Sequence, residues 1–590
     1  MMSRLREKAT HDSRASRTIL PLCVISVFLS LAHSAGATAI NDSLEDLAHR
    51  YYQFTYLNDP VGSTDNGLHL ADDRLADFSP QARQRYLQEL RSFRAELAND
   101  VPPPSAAVHD QVNYLLLRAA MEGDWWRITY LKSPQRDPSM YEGECSNGIF
   151  SLLKKPFAPA EVRAKDATGR LRACAGVLEQ GKKNLTDVVR EFAQVASDDI
   201  ASGDSLYTRS LDSLTTGAQP QTKAQLQSAR ASALAALHDY KNWIDAHLST
   251  WHEGGFAVGK TQYDWYLRRV LLLPYTGADL IALAKTELAR DRALEQWERN
   301  HNRTLRATRA QPTFKSKAAF LKYYEAQTAR VRAFLSGHEI VTVPPWIGAF
   351  HIVELPDALK AVNPGGFMNP PGTFDKDPSG FYFVPDYDPK NNSFFAAQAR
   401  KAVMPVLAHE GIPGHFMQFS IAYHNPDFIR HVQGDGVFAE GWAFYTEEML
   451  MRAGLYDNDP AARDAVIHLM RHRATRIGVD VGLASGAMTL PQAIAYFQAN
   501  AGIDQATAQG EGTRFAMGPG QAIDYLTGKT QIETLLGMVR DRQGEAFNLR
   551  QFHDKLLSYG TIPYATIMWE WLGDSTWVDA VREPLAPVEM

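Results

Sequence analysis

KAQLQSARASALAALHDYKNWIDAHL, Lys223–Leu248, decides the fold class, and GADLIALAKTELARDRALEQWERN, Gly277–Asn300, repeats its pattern. Both stretches alternate apolar faces with charge at the 3.6-residue period of amphipathic helices. The same texture runs outward from Asn41 to about Ser336, broken by loops rich in Pro and Gly around Pro102–Pro104 and Gly217–Gln221. Ser43-Leu-Glu-Asp46 reads as a capping box opening the first helix, followed by Leu44, Leu47, Tyr51 and Phe54 at helical spacing. Between about Glu339 and Asp386 the texture changes. IVTVPPWIGAFHIVEL and FMNPPGTFDKDPSGFYFVP are rich in β-branched and aromatic residues with turns between them, which predicts a small sheet. Helical periodicity resumes from about Phe394 to the C-terminus, and no repeat period is evident. The expectation is a mainly α protein: a large two-lobed helical fold with a small β-sheet beside an active-site cleft. Residues 1–39 form a leader, 40–338 a helical N-terminal lobe, and 339–590 a metal-binding lobe.

The most informative motif lies just after the predicted sheet. It is His409-Glu410-Gly411-Ile412-Pro413-Gly414-His415, led by the apolar run VMPVLA. Zinc hydrolases place two histidines four residues apart on one helical face, with an adjacent glutamate as general base. Here the separation is six. On a straight helix that is about 600° of rotation and roughly 9 Å of rise, too far for both imidazoles to reach one ion. Gly411, Pro413 and Gly414 supply the way out, because they suit a regular helix poorly. A bulge of two residues would restore the four-apart geometry.

A third ligand is expected from FAEGWAFYTE, Phe438–Glu447. Glu440 and Glu447 are seven residues apart, so they share a helix face about 10 Å apart along it. One can bind a metal and the other can only support it: Glu440 as ligand, Glu447 behind a ligand histidine. Each residue alone would ordinarily be core or solvated surface. The joint pattern predicts one divalent zinc ion held by His409, His415 and Glu440.

The remaining chain sets the compartment. Arg4, Arg6, Lys8, Arg14 and Arg17 precede the apolar run ILPLCVISVFLSLA, and Ala37-Thr38-Ala39 fits a cleavage site. These are the parts of a secretory signal peptide, too short to span a bilayer comfortably. The expected product is exported, periplasmic or secreted, with no stable membrane insertion after leader cleavage. The 590 residues carry 61 Lys and Arg against 67 Asp and Glu, a net charge of −6 that argues against a nucleic-acid partner. Three cysteines exclude a disulfide scaffold. Two survive cleavage, Cys145 and Cys174, and in an oxidising compartment they are a possible disulfide.

HEGIPGHFMQ, AEGWAFYTEEM, RATRIGVDVGLASGAMTLPQAIAYF and EGTRFAMGPGQAIDYLTG resemble successive signatures of the bacterial domain-of-unknown-function 885 proteins. PVGSTDNGLHLADDRLADFSP and LLLPYTGADLIALAKTELAR are similar to earlier parts of that family, so the resemblance covers nearly the whole mature chain. The family looks like a branch of zinc metallopeptidases with a glutamate third ligand. It implies His409, His415 and Glu440 as ligands and Glu410 as base, and it draws attention to Arg476, Asp480, Glu511, Arg514, Gln521 and Tyr525. The chain departs from the family pattern at Ala484 and Ser485, where histidine is frequent, and at Phe515, where tyrosine is.

These residues define an expected mechanism. Glu410 takes a proton from water and delivers it to the leaving amine. Tyr525, after the Gly518-Pro-Gly520-Gln turn, is the candidate oxyanion donor, and Arg514 assists or binds a substrate carboxylate. An edge strand, Phe367–Asn369 or Phe381–Val384, would pair with an extended peptide substrate. Two alternatives stand: an exported helical binding protein with a structural metal or lost catalysis, and a metal-dependent hydrolase of non-peptide amides. The oligomeric state is not encoded in these patterns.

Overall fold

The long amphipathic stretches form the expected helices. Pro220–His247 begins with proline in its first turn, where the missing N–H has no partner to lose. Gly277–His301 opens on a Thr276–Asp279 capping box and buries Leu280, Ala284 and Leu288 at four-residue spacing. The computed structural model describes residues 39–303, 312–355, 366–385 and 394–583. All but the last residue of the expected leader lies outside the described residues. The first helix, α1 (Ala39–Asn58), starts before Ser43, so the expected capping box does not open it. Ser43 Oγ instead donates to Asp100 Oδ2 at 3.0 Å.

Helices of the N-terminal half include α2 (Val108–Trp126), α3 (Ser139–Leu153), α4 (Ala160–Asn184), α5 (Pro220–His247), α6 (Gly277–His301) and α7 (Lys317–His338). A satellite core lies within Tyr141–Ile244, where α3, α4 and α5 pack together. Inside it Cys145 of α3 and Cys174 of α4 are joined by a disulfide with Cα atoms 5.5 Å apart. The largest core is different: it runs from Leu44 to Val581 and draws on both sides of the boundary expected at residue 338.

Three strands follow: β1 (Phe350–Glu354), β2 (Phe367–Asn369) and β3 (Gly380–Val384). Their order is β1-β3-β2, with β1 parallel to β3 and β2 antiparallel to it. Phe381–Val384 is therefore the central strand, and the expectation that it could be an edge is corrected; Phe367–Asn369 is an outer strand. Alternation sends Ile352, Met368, Tyr382 and Val384 to one face, where they pack on Phe320 and Tyr324 of α7 and on Val403 and Leu407. The sheet thus forms the back of the motif helix.

The C-terminal helices include α8 (Val403–Glu410), α9 (His415–Ala422), α10 (Phe428–Val432), α11 (Gly436–Ala453), α12 (Pro460–Ser485), α13 (Gln505–Met517), α14 (Asp524–Gln543) and α15 (Tyr564–Leu572). Two long pairings organise them: α12 against α6, and α14 against α11. Among the described residues no helix is long and apolar enough to cross a membrane.

Candidate metal centre

The helix carrying the motif breaks completely. α8 ends at Glu410 and α9 begins at His415, so the expected bulge within one helix is instead a four-residue non-helical link between two. Glycine makes the link possible. A Cβ on Gly414 would lie 1.9 Å from the His409 carbonyl oxygen and 2.3 Å from that of Ala408. A Cβ on Gly411 would meet the Phe350 ring at 2.7 Å. Pro413 follows a cis peptide bond, and its carbonyl accepts the Trp442 indole N–H at 2.8 Å. Trp442 is fully buried on α11, so it fastens the link to the helix that carries Glu440.

α11 is capped by Asp435, whose side chain accepts the Phe438 N–H. One residue beyond Glu440, Gly441 meets Gly528 of α14 backbone to backbone: a Cβ at Gly441 would lie 2.5 Å from the Gly528 Cα. That crossing, closer than any side chain allows, brings the Tyr525 turn against the Glu440 turn.

The result is a convergence of three donors. Glu440 Oε2 lies 3.3 Å from His415 Nε2 and 3.6 Å from His409 Nε2, and all three ligand atoms fall within 4.8 Å of one another. Ligands about 2.1 Å from a tetrahedral ion sit about 3.4 Å apart, so this spacing fits one small divalent cation. Glu440 Oε2 is buried without a hydrogen-bond partner, which a cation would supply. The donor set, two imidazoles and a carboxylate, suits zinc. Behind it, Glu447 Oε1 lies 2.8 Å from His409 Nδ1, leaving Nε2 turned to the cluster. Burial disfavours charge on Glu440, but His415 and His409 outweigh it and hold the carboxyl well below its usual range. Burial likewise lowers the His409 pKa, and Glu440 and Glu447 reverse it to about 9. Glu410 is half-buried at the end of α8, within electrostatic range of His409 and of Tyr382 on β3.

Tyr525 is brought to the centre: its ring stacks parallel to that of His409 with centroids 6.3 Å apart. Its hydroxyl accepts from Gln521 Nε2 at 3.3 Å. Burial, then the Glu440 charge, raises the phenol's pKa, so it keeps its proton. Two guanidinium groups from α12 lie over the Tyr525 ring, Arg476 at 5.1 Å and Arg473 at 5.3 Å. Arg476 pairs with Glu511, which also receives His472 Nε2 at 2.7 Å. Arg514 is more peripheral: its side chain is 55% exposed and 3.7 Å from Glu511. Asp480 is a structural anchor, accepting from Tyr263 at 2.7 Å and from the Gly520 and Ala522 amides at 3.0 and 3.1 Å. It fixes the turn that precedes Tyr525.

Three contributors escaped the sequence reading. Trp442 and the Gly441–Gly528 contact shape the centre through backbone, without any ionisable group to mark them. Arg473 reaches Glu447 Oε1 at 3.4 Å and so backs the residue that backs His409. Its signal was available, since Arg473 and Arg476 are three apart and share a helix face.

The fold and this cluster define a mainly helical protein with a buried three-donor site suited to one divalent cation. The chain belongs to the DUF885 family of bacterial proteins of unknown function, whose family model matches residues 60–570. No curated protein matches the sequence. Solved structures sharing the fold include a protein provisionally described as a lipoprotein of unknown function from Shewanella oneidensis, 21% identical with a TM-score of 0.72, covering 91% of this chain and 100% of that one. Another, provisionally described as a lipoprotein from Colwellia psychrerythraea, is 19% identical with a TM-score of 0.76, covering 92% of this chain and 100% of that one. Likeness at such identities establishes the fold and not the chemistry.

Proposed function

We propose that this protein is an exported, zinc-dependent peptidase. The observation that carries the reading is the convergence of His409, His415 and Glu440, with Glu447 holding His409 from behind and Glu410 adjoining a ligand. A site built only for structure has no use for the adjoining base. When bound, zinc supplies a Lewis acid that lowers the pKa of water towards neutrality and polarises a carbonyl.

The chain's own residues do the rest. Glu410 accepts a proton from the attacking water and returns it to the leaving amine. Tyr525, receiving a hydrogen bond from Gln521, keeps its own proton free to donate to the carbonyl oxygen as charge develops there. Glu447, backed by Arg473, sits 2.8 Å from His409 Nδ1 and leaves Nε2 directed inward. Arg514, exposed at the margin, is placed to meet a substrate carboxylate. Export is supported by the N-terminal leader pattern, by the Cys145–Cys174 disulfide, and by the lipoprotein description of two structural relatives.

The test combines metal analysis of the purified protein with digestion of a mixed peptide library read by mass spectrometry. Glu410→Gln is expected to keep its zinc and lose cleavage. Unchanged cleavage in that variant would remove Glu410 as the base, and the end from which peptides shorten assigns the peptidase class.

A further inference from the structure

Helix α9 has two unlike faces. Phe416 and Met417 are fully buried in the main core. On the other side the rings of His415, Phe419 and Tyr423 stack nearly parallel, with centroids 5.7 and 5.8 Å apart at 16° and 14°. The row then leaves the helix: Tyr423 meets His431 of α10 at 6.4 Å, His431 meets Phe374 at 5.3 Å, and Phe374 meets Tyr56 of α1 at 5.8 Å. Phe419, Tyr423, His431, Phe374 and Tyr56 are each half-buried. Rings stacked merely to fill a core would be covered, as Phe416 is.

The row has a fixed wall opposite α9. Phe374 is anchored through its backbone N–H, which donates to the Asn66 carbonyl at 2.8 Å, and Thr373 Oγ1 donates to Asn66 Oδ1 at 2.9 Å. Burial lowers the His431 pKa, so that ring is neutral at pH 7. The row is thus aromatic, with its own rings uncharged at pH 7, and it begins on the ring of a candidate metal ligand. The row therefore adjoins the candidate metal site through the His415 ring.

We propose that this row, centred on Phe419 and Tyr423, is a subsite for an aromatic or large apolar side chain of the peptide substrate. The inference rests on the peptidase reading for its occupant and on the ring geometry for its chemistry. Offset aromatic contact rewards a Phe side chain and offers nothing to Gly, a difference expected to be about 10- to 100-fold.

The experiment uses two pentapeptides, Ala-Ala-Phe-Ala-Ala and Ala-Ala-Gly-Ala-Ala, with the zinc-loaded protein. Turnover of each is measured for wild type, Phe419→Ala, Tyr423→Ala and Phe419→Leu. Binding of each to Glu410→Gln, alone and combined with Phe419→Ala, is measured by calorimetry. The expected result is a preference for the Phe peptide in both assays, lost in Phe419→Ala and partly kept in Phe419→Leu, at unchanged zinc content. Circular dichroism checks folding, and Phe419→Leu carries the test if the alanine variant does not fold. Equal binding of the two peptides, or a preference that survives Phe419→Ala, overturns the subsite. Preferential binding without turnover by wild type supports the subsite and overturns the peptidase reading, so the two fail separately.

Discussion

Gly414→Ala tests the geometry of the candidate metal centre without touching a proposed ligand. The added Cβ would start 1.9 Å from the His409 carbonyl oxygen, about 1.4 Å short of the ~3.3 Å at which carbon and oxygen come into contact. The clash is with backbone, so no side-chain rotation relieves it. Because Gly414 directly precedes His415, the strain moves one ligand relative to the other. Metal sites tolerate about 0.2 Å of ligand displacement, so a shift several times larger removes effective coordination. Zinc affinity is expected to fall at least about 100-fold, roughly 2.7 kcal/mol, with about 1–3 kcal/mol of overpacking added to the apo protein. Gly510→Ala is the control: Gly510 is exposed on α13 with nothing within 4 Å of its would-be Cβ. It is expected to stabilise by about 1 kcal/mol through helix propensity and to leave zinc binding alone. Competition titration against a chelating dye and denaturant unfolding read both quantities. Wild-type zinc affinity in Gly414→Ala would refute the claim that this glycine lets the two histidines meet.

Three further outcomes follow from described contacts. Glu447→Gln removes the charge 2.8 Å from His409 Nδ1 and is expected to weaken zinc binding about 10- to 100-fold; the same titration with no change would unseat its supporting role. His109 lies 2.8 Å from Asp427 and 3.2 Å from Glu570, which together raise its pKa to about 9. Its folded value exceeds the unfolded one, so its stabilisation is complete below about pH 6.5 and disappears as pH rises through about 9. Since the imidazole is 41% exposed, the amount is discounted to about 1 kcal/mol, and unfolding of His109→Gln at pH 7 and 9.5 is expected to lack that loss. Replacing Cys145 and Cys174 by serine opens a loop with a sequence separation of 29, expected to cost about 3.5 kcal/mol in the chain-entropy model. An unshifted denaturant midpoint would contradict it.

Much of this arrangement was legible in the residues. Helix periodicity placed Pro220–His247 and Gly277–His301 to within a few residues, because long apolar stripes leave little choice of face. The histidine separation of six, with helix breakers between, announced a departure from straight helix. Its form was not legible: nothing local distinguishes a bulge from a full break when both bring the same side chains together. Strand order was hidden for a related reason. The aromatic texture marks β3 as a strand, yet only long-range pairing makes it central. Arg473 and Trp442 act through Glu447 and Pro413, partners distant in sequence, so their roles emerge only in three dimensions. The aromatic row of α9 also depends on rings from α10, Phe374 and α1.

The core that joins Leu44 to Val581 bears on how the protein is made. Its long-range contacts, such as Arg118 to the Val581 carbonyl, each close a loop of several hundred residues and so are slow to form. A chain exported behind a secretory leader, as proposed above, is threaded through its membrane unfolded, and premature collapse would block the passage. Here the main core lacks essential members until α15 and the segment after it have emerged. Under the export proposed above, synthesis and translocation finish before folding completes, and the candidate metal site, set within that core, assembles only on the far side.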